Sequence, residues 1–361
     1  MLKFFSRHTQ KIETDITALT AYGVTPGVQQ RLLKFFQDSD SRKLHHANPR
    51  FIAAQLQLNE RETLQLLVAA LKEGLVTLNW EVQCPACLNI DFTPKTLFDL
   101  RTYHNCPGCH QSHPTNADNQ VRVTFSIDQR LRRLGEEAND LNFRAKIDAQ
   151  YGVVSGHRLL TLQTFRDLFP RETIPPNESL IVQRVAILFT DLTGSTALYS
   201  RRGDSQAYSL VRQHFNILFQ AVDGHNGVVV KTIGDAVMAA FTVASDALEA
   251  AIAMHQKLTD LNQQLQLPQE DWLMLKIGID AGPCISVTLN ERPDYFGTTV
   301  NTAARVQGTS QGNDIACTND VLSEPAGLSI HRLSVGADRP RGGDELGEHA
   351  RHRQRQTQRH Q

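Results

Sequence analysis

The stretch VVVKTIGDAVMAAF, residues 228–241, decides the reading of the C-terminal half of the chain. Two apolar runs of strand length flank Gly234-Asp235, a pair suited to a tight hairpin turn. Lys231 lies inside the first run and a carboxylate stands at the tip. Taken alone, the segment reads equally well as a turn aspartate with a solvated lysine and as part of a site. Working outward, the earlier strand RVAILFT (184–190) ends in DLTGST (191–196). A carboxylate at a strand's end, followed by a Gly/Ser/Thr turn into a helix, suits a polyphosphate. The N–H groups of Leu192, Thr193, Gly194, Ser195 and Thr196 can cradle phosphate oxygens while Asp191 holds Mg²⁺. On its own, Asp191 is explained at least as well as a helix-starting residue. If the two strands are neighbours, Asp191 and Asp235 converge on one or two divalent ions, one activating an attacking oxygen and the other neutralising leaving phosphates. DYFGTTVNTAARV (294–306) adds a short strand and a helix with Asn301 and Arg305 on one face. An amide and a guanidinium there can bind a sugar and a phosphate, although without context such a pair is a solvated face.

The composition sets the limits. With 40% hydrophobic and 21% charged residues among 361, the chain is long enough for two or three domains with proper cores. A formal net charge of −1 gives no global attraction to nucleic acid or acidic membrane. MLKFFSRHTQK is followed by no apolar signal core, and no run approaches a membrane span, so a cytoplasmic location is expected.

Residues 1–81 read as a helical, winged-helix-like domain. ANPRFIAAQLQL carries a Pro suited to a first helical turn, NERETLQLLVAALKEGLV opens with Asn59 and Glu62 as a capping box, and the strand TLNWEV follows. Residues 82–115 read as a zinc ribbon: Cys84, Cys87, Cys106 and Cys109 form CPAC and CPGC knuckles suited to a tetrahedral structural Zn²⁺. His104, His110 and His113 are expected to be solvated loop residues. Residues 116–180 read as a connector with an alternating strand, VRVTFSI (121–127), a charged helix, DQRLRRLGEEANDLNFRAKI, and a linker, ETIPPNES (172–179). From residue 181 to 328 strands alternate with helices, which indicates an α/β domain.

FTDLTGST, KTIGDAVMAAF and DYFGTTVNTAAR, in this order and spacing, resemble the catalytic domain of class III nucleotide cyclases. The resemblance covers about 182–320. Together with the N-terminal segments it is similar to bacterial adenylate/guanylate cyclases. It implies an α+β, ferredoxin-like catalytic domain in which Asp191 and Asp235 hold two Mg²⁺ or Mn²⁺ ions. It implies that Lys231 and Asp294 read the N1 and N6 edge of adenine, and that Asn301 and Arg305 orient the ribose and stabilise the transition state. A donor facing N1 and an acceptor facing the N6 amino group fit adenine and oppose guanine, so ATP is favoured over GTP. The implied reaction yields 3′,5′-cyclic AMP and pyrophosphate at a homodimer interface.

Residues 329–361 are rich in Arg, His, Gln and Gly, and are expected to form a disordered basic tail. The closing strands of the family, with their phosphate-contacting lysine, have no counterpart there, and a reading-frame change is the favoured explanation. Asp280 stands where the wider family often has His. The competing reading is an inactive cyclase-like regulator of nucleotide or nucleic acid, or a guanylate cyclase. An unknown regulatory ligand or protein is expected for the N-terminal half. Residues 51–80 are too poor in basic residues for a persuasive DNA-recognition helix.

Overall fold

The computed structural model describes residues 15–323; the tail expected at 329–361 lies outside the described residues. In the N-terminal half, helix α1 (Pro26–Asp38) precedes α2 (Pro49–Leu56) and α3 (Glu60–Lys72). The start signals act as expected. Asn48 caps α2 ahead of Pro49, and Asn59 with Glu62 forms a complete capping box on α3. Strand β1 (Val76–Gln83) then pairs antiparallel with β5 (Val121–Ile127), from Val76 opposite Ile127 to Val82 opposite Val121. The cysteine segment is an excursion between these paired strands, with β2 (Ile90–Phe92) added beside β1 and β3 (Tyr103–Asn105) paired with β4 (Ser112–Pro114).

Three expectations for 116–180 are corrected. VRVTFSI is buried at every residue instead of alternating, because both faces of β5 are covered. The charged helix begins only at Leu141: Gly135 interrupts the segment and Asp140 caps α4 (Leu141–Tyr151) by accepting from Phe143 N–H. The 172–179 segment is no free linker. Glu172 accepts from Leu97 N–H at 2.7 Å, and Glu178 accepts from Thr102 N–H at 2.6 Å. Two short helices, α5 (Gly156–Leu160) and α6 (Gln163–Leu168), precede this tether.

The C-terminal unit runs β6 (Leu180–Leu192), α7 (Ser195–Arg202), α8 (Asp204–Gly224), β7 (Val228–Ile233), β8 (Ala236–Phe241), α9 (Ala244–Gln264) and β9 (Leu275–Leu289). Its sheet order is β10-β9-β6-β8-β7, where β10 (Arg292–Phe296) returns beside β9. This is a ferredoxin-like βαββαβ arrangement extended by a hairpin. Helix α10 (Thr298–Gln307) and strand β11 (Asp314–Cys317), parallel to β9, complete it. Gly278 makes room for α10, since a Cβ there would lie 2.1 Å from Gln307 N. Asp280 is buried on β9 and accepts from Thr318 Oγ1 at 2.5 Å.

Both faces of this sheet are buried. Val237, Ala239 and Phe241 of β8 pack with α8 and α9. Met238 and Ala240, pointing the other way, share a core with Trp80, Leu159, Leu160 and Phe165 of the N-terminal half. No helix among the described residues is long and apolar enough to cross a membrane.

Candidate active site

The hairpin forms as its sequence requires. Ile233 pairs with Ala236, leaving Gly234-Asp235 as a two-residue loop with Gly234 at φ +63°. Asp191 lies next to last on β6, opposite Lys276 of β9. The two aspartates are brought together: the carboxyl pKa of Asp191 is raised, first by burial and then by the charge of Asp235, while Lys276 opposes the rise. Asp235 Oδ2 is buried without a hydrogen-bond partner. A crowded carboxylate pair with an orphaned buried oxygen is a donor set for a hard divalent cation, so these residues fit Mg²⁺ or Mn²⁺.

The predicted phosphate loop is partly committed. Leu192 is buried in the sheet core, and Thr193 N–H donates to Met274 O at 2.8 Å. Gly194, at φ +71°, turns the chain into α7, whose first backbone bond runs from Leu198 N–H to Gly194 O. The N–H groups of Ser195 and Thr196 precede that bond and have no acceptor within the helix, as at any helix start. Thr193 Oγ1 is a further buried, unpartnered oxygen at this turn.

Lys231 and Asp294 meet although β7 and β10 are the two ends of the sheet order. The sheet curls until these strands approach each other. Lys231 Nζ donates to Asp294 Oδ2 at 2.5 Å, and Asp294 Oδ1 accepts from Tyr295 N–H at 2.8 Å. The lysine side chain is 36% exposed and the aspartate 7%, so the ammonium is the solvent-facing member of the pair. Asn301 and Arg305 are both exposed, one turn apart on α10. Among the described residues no ion pair or side-chain hydrogen bond links them, or the Lys231–Asp294 pair, to the two aspartates.

Sequence reasoning missed two groups beside the aspartates. Lys276 stands in LMLKIGID as an out-of-pattern charge, the one signal that could have marked it. His214 of α8 is fully buried with both ring nitrogens unpartnered, and burial lowers its pKa to about 4, so it is neutral. Nothing in its helical sequence distinguishes it from a core residue.

The four cysteines come together as their spacing predicts. Their Sγ atoms lie within 4.8 Å of one another, with Cys84–Cys109 at 3.6 Å and Cys87–Cys106 at 3.5 Å. Zn–S bonds of about 2.3 Å in a tetrahedron need S–S edges of about 3.8 Å, so the cluster fits zinc. The two knuckles are built alike. Leu88 N–H donates to Cys84 O and His110 N–H to Cys106 O, and Leu88 and His110 both take left-handed φ. Backbone N–H groups of Cys87 and Ala86 hold the Cys84 thiol down at about 6, which favours the thiolate a metal requires. Of the nearby histidines, His104 stacks on Phe92 and His110 is exposed.

Fold and motif order together define one class of protein: the C-terminal half is a class III nucleotide cyclase catalytic domain. Residues 178–331 match the family described as the adenylate and guanylate cyclase catalytic domain, and residues 10–151 match a family of unknown function (DUF5939). The chain is 32% identical over 184 residues to an adenylate cyclase of Mycosarcoma maydis, covering 44% of this chain and 7% of that protein. It is 30% identical over 144 residues to putative adenylate cyclase 3 of Rhizobium meliloti (strain 1021), covering 40% and 24%. The crystal structure of the adenylyl cyclase CyaB from P. aeruginosa aligns with 47% of this chain and 100% of its own, at 23% identity and a TM-score of 0.38. The chain therefore spans about a quarter or less of the length of these two curated relatives.

Proposed function

We propose that this chain is an adenylate cyclase that converts ATP to 3′,5′-cyclic AMP and pyrophosphate. The observation that carries the reading is the Lys231–Asp294 pair, held at 2.5 Å at the rim of the sheet. An ammonium offers three donors and no acceptor. Lys231 can keep Asp294 and still donate to adenine N1, while Asp294 accepts from the N6 amino group. Guanine would set N1–H against the ammonium and O6 against the carboxylate.

Asp191 and Asp235 would hold the divalent ions. When bound, these ions supply Lewis-acid stabilisation of the ribose 3′-oxygen and of the leaving phosphates. The helix-start N–H groups of Ser195 and Thr196 then bind the polyphosphate oxygens. Asn301 orients the ribose, and Arg305 neutralises the charge that grows on the α-phosphoryl group. The 3′-oxygen–phosphorus bond forms as the bond to the bridging oxygen of pyrophosphate breaks, and the hydroxyl proton leaves to water.

The active unit is a homodimer with two sites. Asn301 and Arg305 are exposed, and among the described residues neither has a side-chain hydrogen bond or ion pair. A second copy placed in antiparallel fashion would set them, with Lys231 and Asp294, opposite the aspartates. The first turn of α3 supports an interdomain role for the winged-helix-like segment and not a groove-reading one. Arg61 donates to Asp223 Oδ1 at 2.5 Å, and Glu60 accepts from Arg158 at 3.1 Å. Incubating the purified chain with Mn²⁺ and equimolar ATP and GTP, and identifying products by mass, tests the reading. Cyclic AMP supports it. Cyclic GTP-derived product alone would make the chain a guanylate cyclase, and no product from a folded dimer would leave a nucleotide-binding regulator.

A further inference from the structure

Helices α5 and α6 grip both strands that carry the base-reading pair. On β7, Val229 N–H donates outward to Gln163 Oε1 at 2.9 Å, and the pairing of β7 with β8 shifts register between Val229 and Lys231. The shift is a bulge at Val230, and a bulge re-aims the residue that follows it. Gln163 therefore pins the strand one residue before the irregularity that turns Lys231 toward Asp294. The Gln163 amide is itself fixed, because its Nε2 donates to Asp167 Oδ1 at 2.8 Å.

On β10, the residues on either side of Asp294 are held from the same two helices. Arg166 Nη1 donates to Pro293 O at 2.9 Å, Nε donates to Leu160 O at 2.8 Å, and the guanidinium lies 5.8 Å from the Tyr295 ring centroid. Burial lowers the Arg166 pKa, with the charge of Asp294 among the opposing influences. Tyr295 is 1% exposed and its hydroxyl meets His157 Nε2 at 3.0 Å. His157 Nδ1 lies 2.7 Å from Asp118 Oδ1, and Asp118 Oδ2 accepts from Gln183 N–H at 2.5 Å. A carboxylate only accepts, so Nδ1 carries a proton toward Asp118; in the neutral ring Nε2 accepts from the tyrosine.

We propose that Gln163 and Arg166 are positioning residues that set the spacing of Lys231 and Asp294, so that the N-terminal half fixes the adenine selectivity of the site. The proposal rests on the cyclase reading given above, and it goes beyond that reading by assigning selectivity to side chains that touch no nucleotide. The grip is one-sided. Gln163 and Arg166 lie on one short helix, and a small rotation of α6 moves β7 and β10 together. Misplacing a substrate-contacting group by about 1 Å costs on the order of a hundredfold in turnover, so a modest loosening is readable.

The test uses the full chain and the variants Gln163→Met, Gln163→Glu and Arg166→Met. Methionine removes the acceptor or the guanidinium at similar length, whereas glutamate keeps an acceptor oxygen for Val229 N–H. Initial rates with Mn²⁺-ATP and Mn²⁺-GTP are read alongside equilibrium dialysis of each nucleotide with Ca²⁺. The expected result is a KM and dissociation constant for ATP raised by about tenfold in the methionine variants. The values for GTP should change less, and Gln163→Glu, which keeps the acceptor for Val229 N–H but sets a carboxylate against Asp167, should fall between the parent and Gln163→Met. Equal losses for both nucleotides, or an unchanged ATP-to-GTP ratio in folded variants, would overturn the proposal. If the parent chain turns over neither nucleotide, the cyclase reading fails, and the dialysis ratio still decides whether α6 sets base selectivity.

Discussion

Replacing Lys231 by Met removes the ammonium and keeps most of the apolar stem that lies against β7. In the structure that ammonium is 2.5 Å from Asp294 and its side chain is 36% exposed, so the site is neither bulk-like nor sealed. A hydrogen bond to a charged group contributes about 1.5–3 kcal/mol, and losing it from adenine N1 lowers kcat/KM for ATP by about 10- to 150-fold. GTP should not suffer that loss, because its N1–H is opposed by the same ammonium. The ATP-to-GTP ratio of kcat/KM therefore falls by at least the ATP factor. Lys231→Glu should carry the ratio further, since a carboxylate accepts from guanine N1–H.

The variant also leaves Asp294, 7% exposed, with one oxygen unpaired. That costs about 1–3 kcal/mol of folding stability, and the melting midpoint drops by about 2–4 °C per kcal/mol for a domain of this size. Steady-state rates for each nucleotide, taken well below that midpoint, separate the two effects. If Lys231→Met lowers both nucleotides by one common factor, the lysine supports the fold without reading the base, and the assignment fails.

Three other perturbations test the remaining sites. Asp191 has a raised pKa from burial and from Asp235, so its ionised form costs stability above the folded pKa, and the cost disappears as pH falls through that value toward the unfolded one of about 3.9. Asp191→Asn should raise the metal-free melting midpoint at pH 7, abolish turnover, and remove the stabilisation of about 2.7 kcal/mol that Mn²⁺ gives the parent at a hundred times its dissociation constant; a Mn²⁺-induced shift that survives in the variant would refute the ligand assignment. Cys106→Ser should lose zinc by elemental analysis, against one equivalent in the parent chain, and should lower the melting midpoint; full retention of zinc would remove Cys106 from the ligand set. Burial alone would raise the Glu81 pKa, but the hydrogen bond with His46 and the charges of Arg144 and Arg122 reverse this and lower it. Its stabilisation is thus complete above an unfolded value of about 4.3 and lost as pH falls through the folded one. Glu81→Gln should cost about 3–5 kcal/mol at pH 7 and flatten the acid branch of the unfolding profile; an unchanged midpoint would show the buried network to be dispensable.

The residues that were legible carry their signal locally. The Gly234-Asp235 loop, the capping box of Asn59 and Glu62, and the two cysteine knuckles are each specified within a few residues, and each forms as its sequence requires. The meeting of Lys231 with Asp294 was legible only through the family resemblance. It depends on how far the sheet curls, which no window of sequence encodes. VRVTFSI misled for a related reason. Period-two alternation marks a strand with one wet face, and β5 has none: Val121, Val123 and Phe125 lie in the apolar core, while on the other side Arg122 donates to Asp148 of α4 and Thr124 to Glu81. The charged run 128–147 misled because its arginines look like a solvated helical face. In fact Arg132 donates to Phe36 O, and Arg130 pairs with Asp128, which holds the start of the run in turns.

The same argument from alternation explains why the two halves behave as one body. VMAAF in β8 is apolar at every position, which in an isolated domain with one open sheet face would leave Met238 and Ala240 in water. Instead these residues share a core with Trp80 and Phe165, and Phe165 lies on α6 between Gln163 and Arg166. The apolar side of α6 is therefore anchored in the N-terminal core, while its polar residues hold β7 and β10. Any change in the N-terminal half that shifts Phe165 moves Gln163 and Arg166 with it, since all three lie within one turn of the same helix. Coupling to the nucleotide site then needs no hinge between domains. It requires only that a shared core have two packings, with the Lys231–Asp294 spacing as the quantity that differs between them.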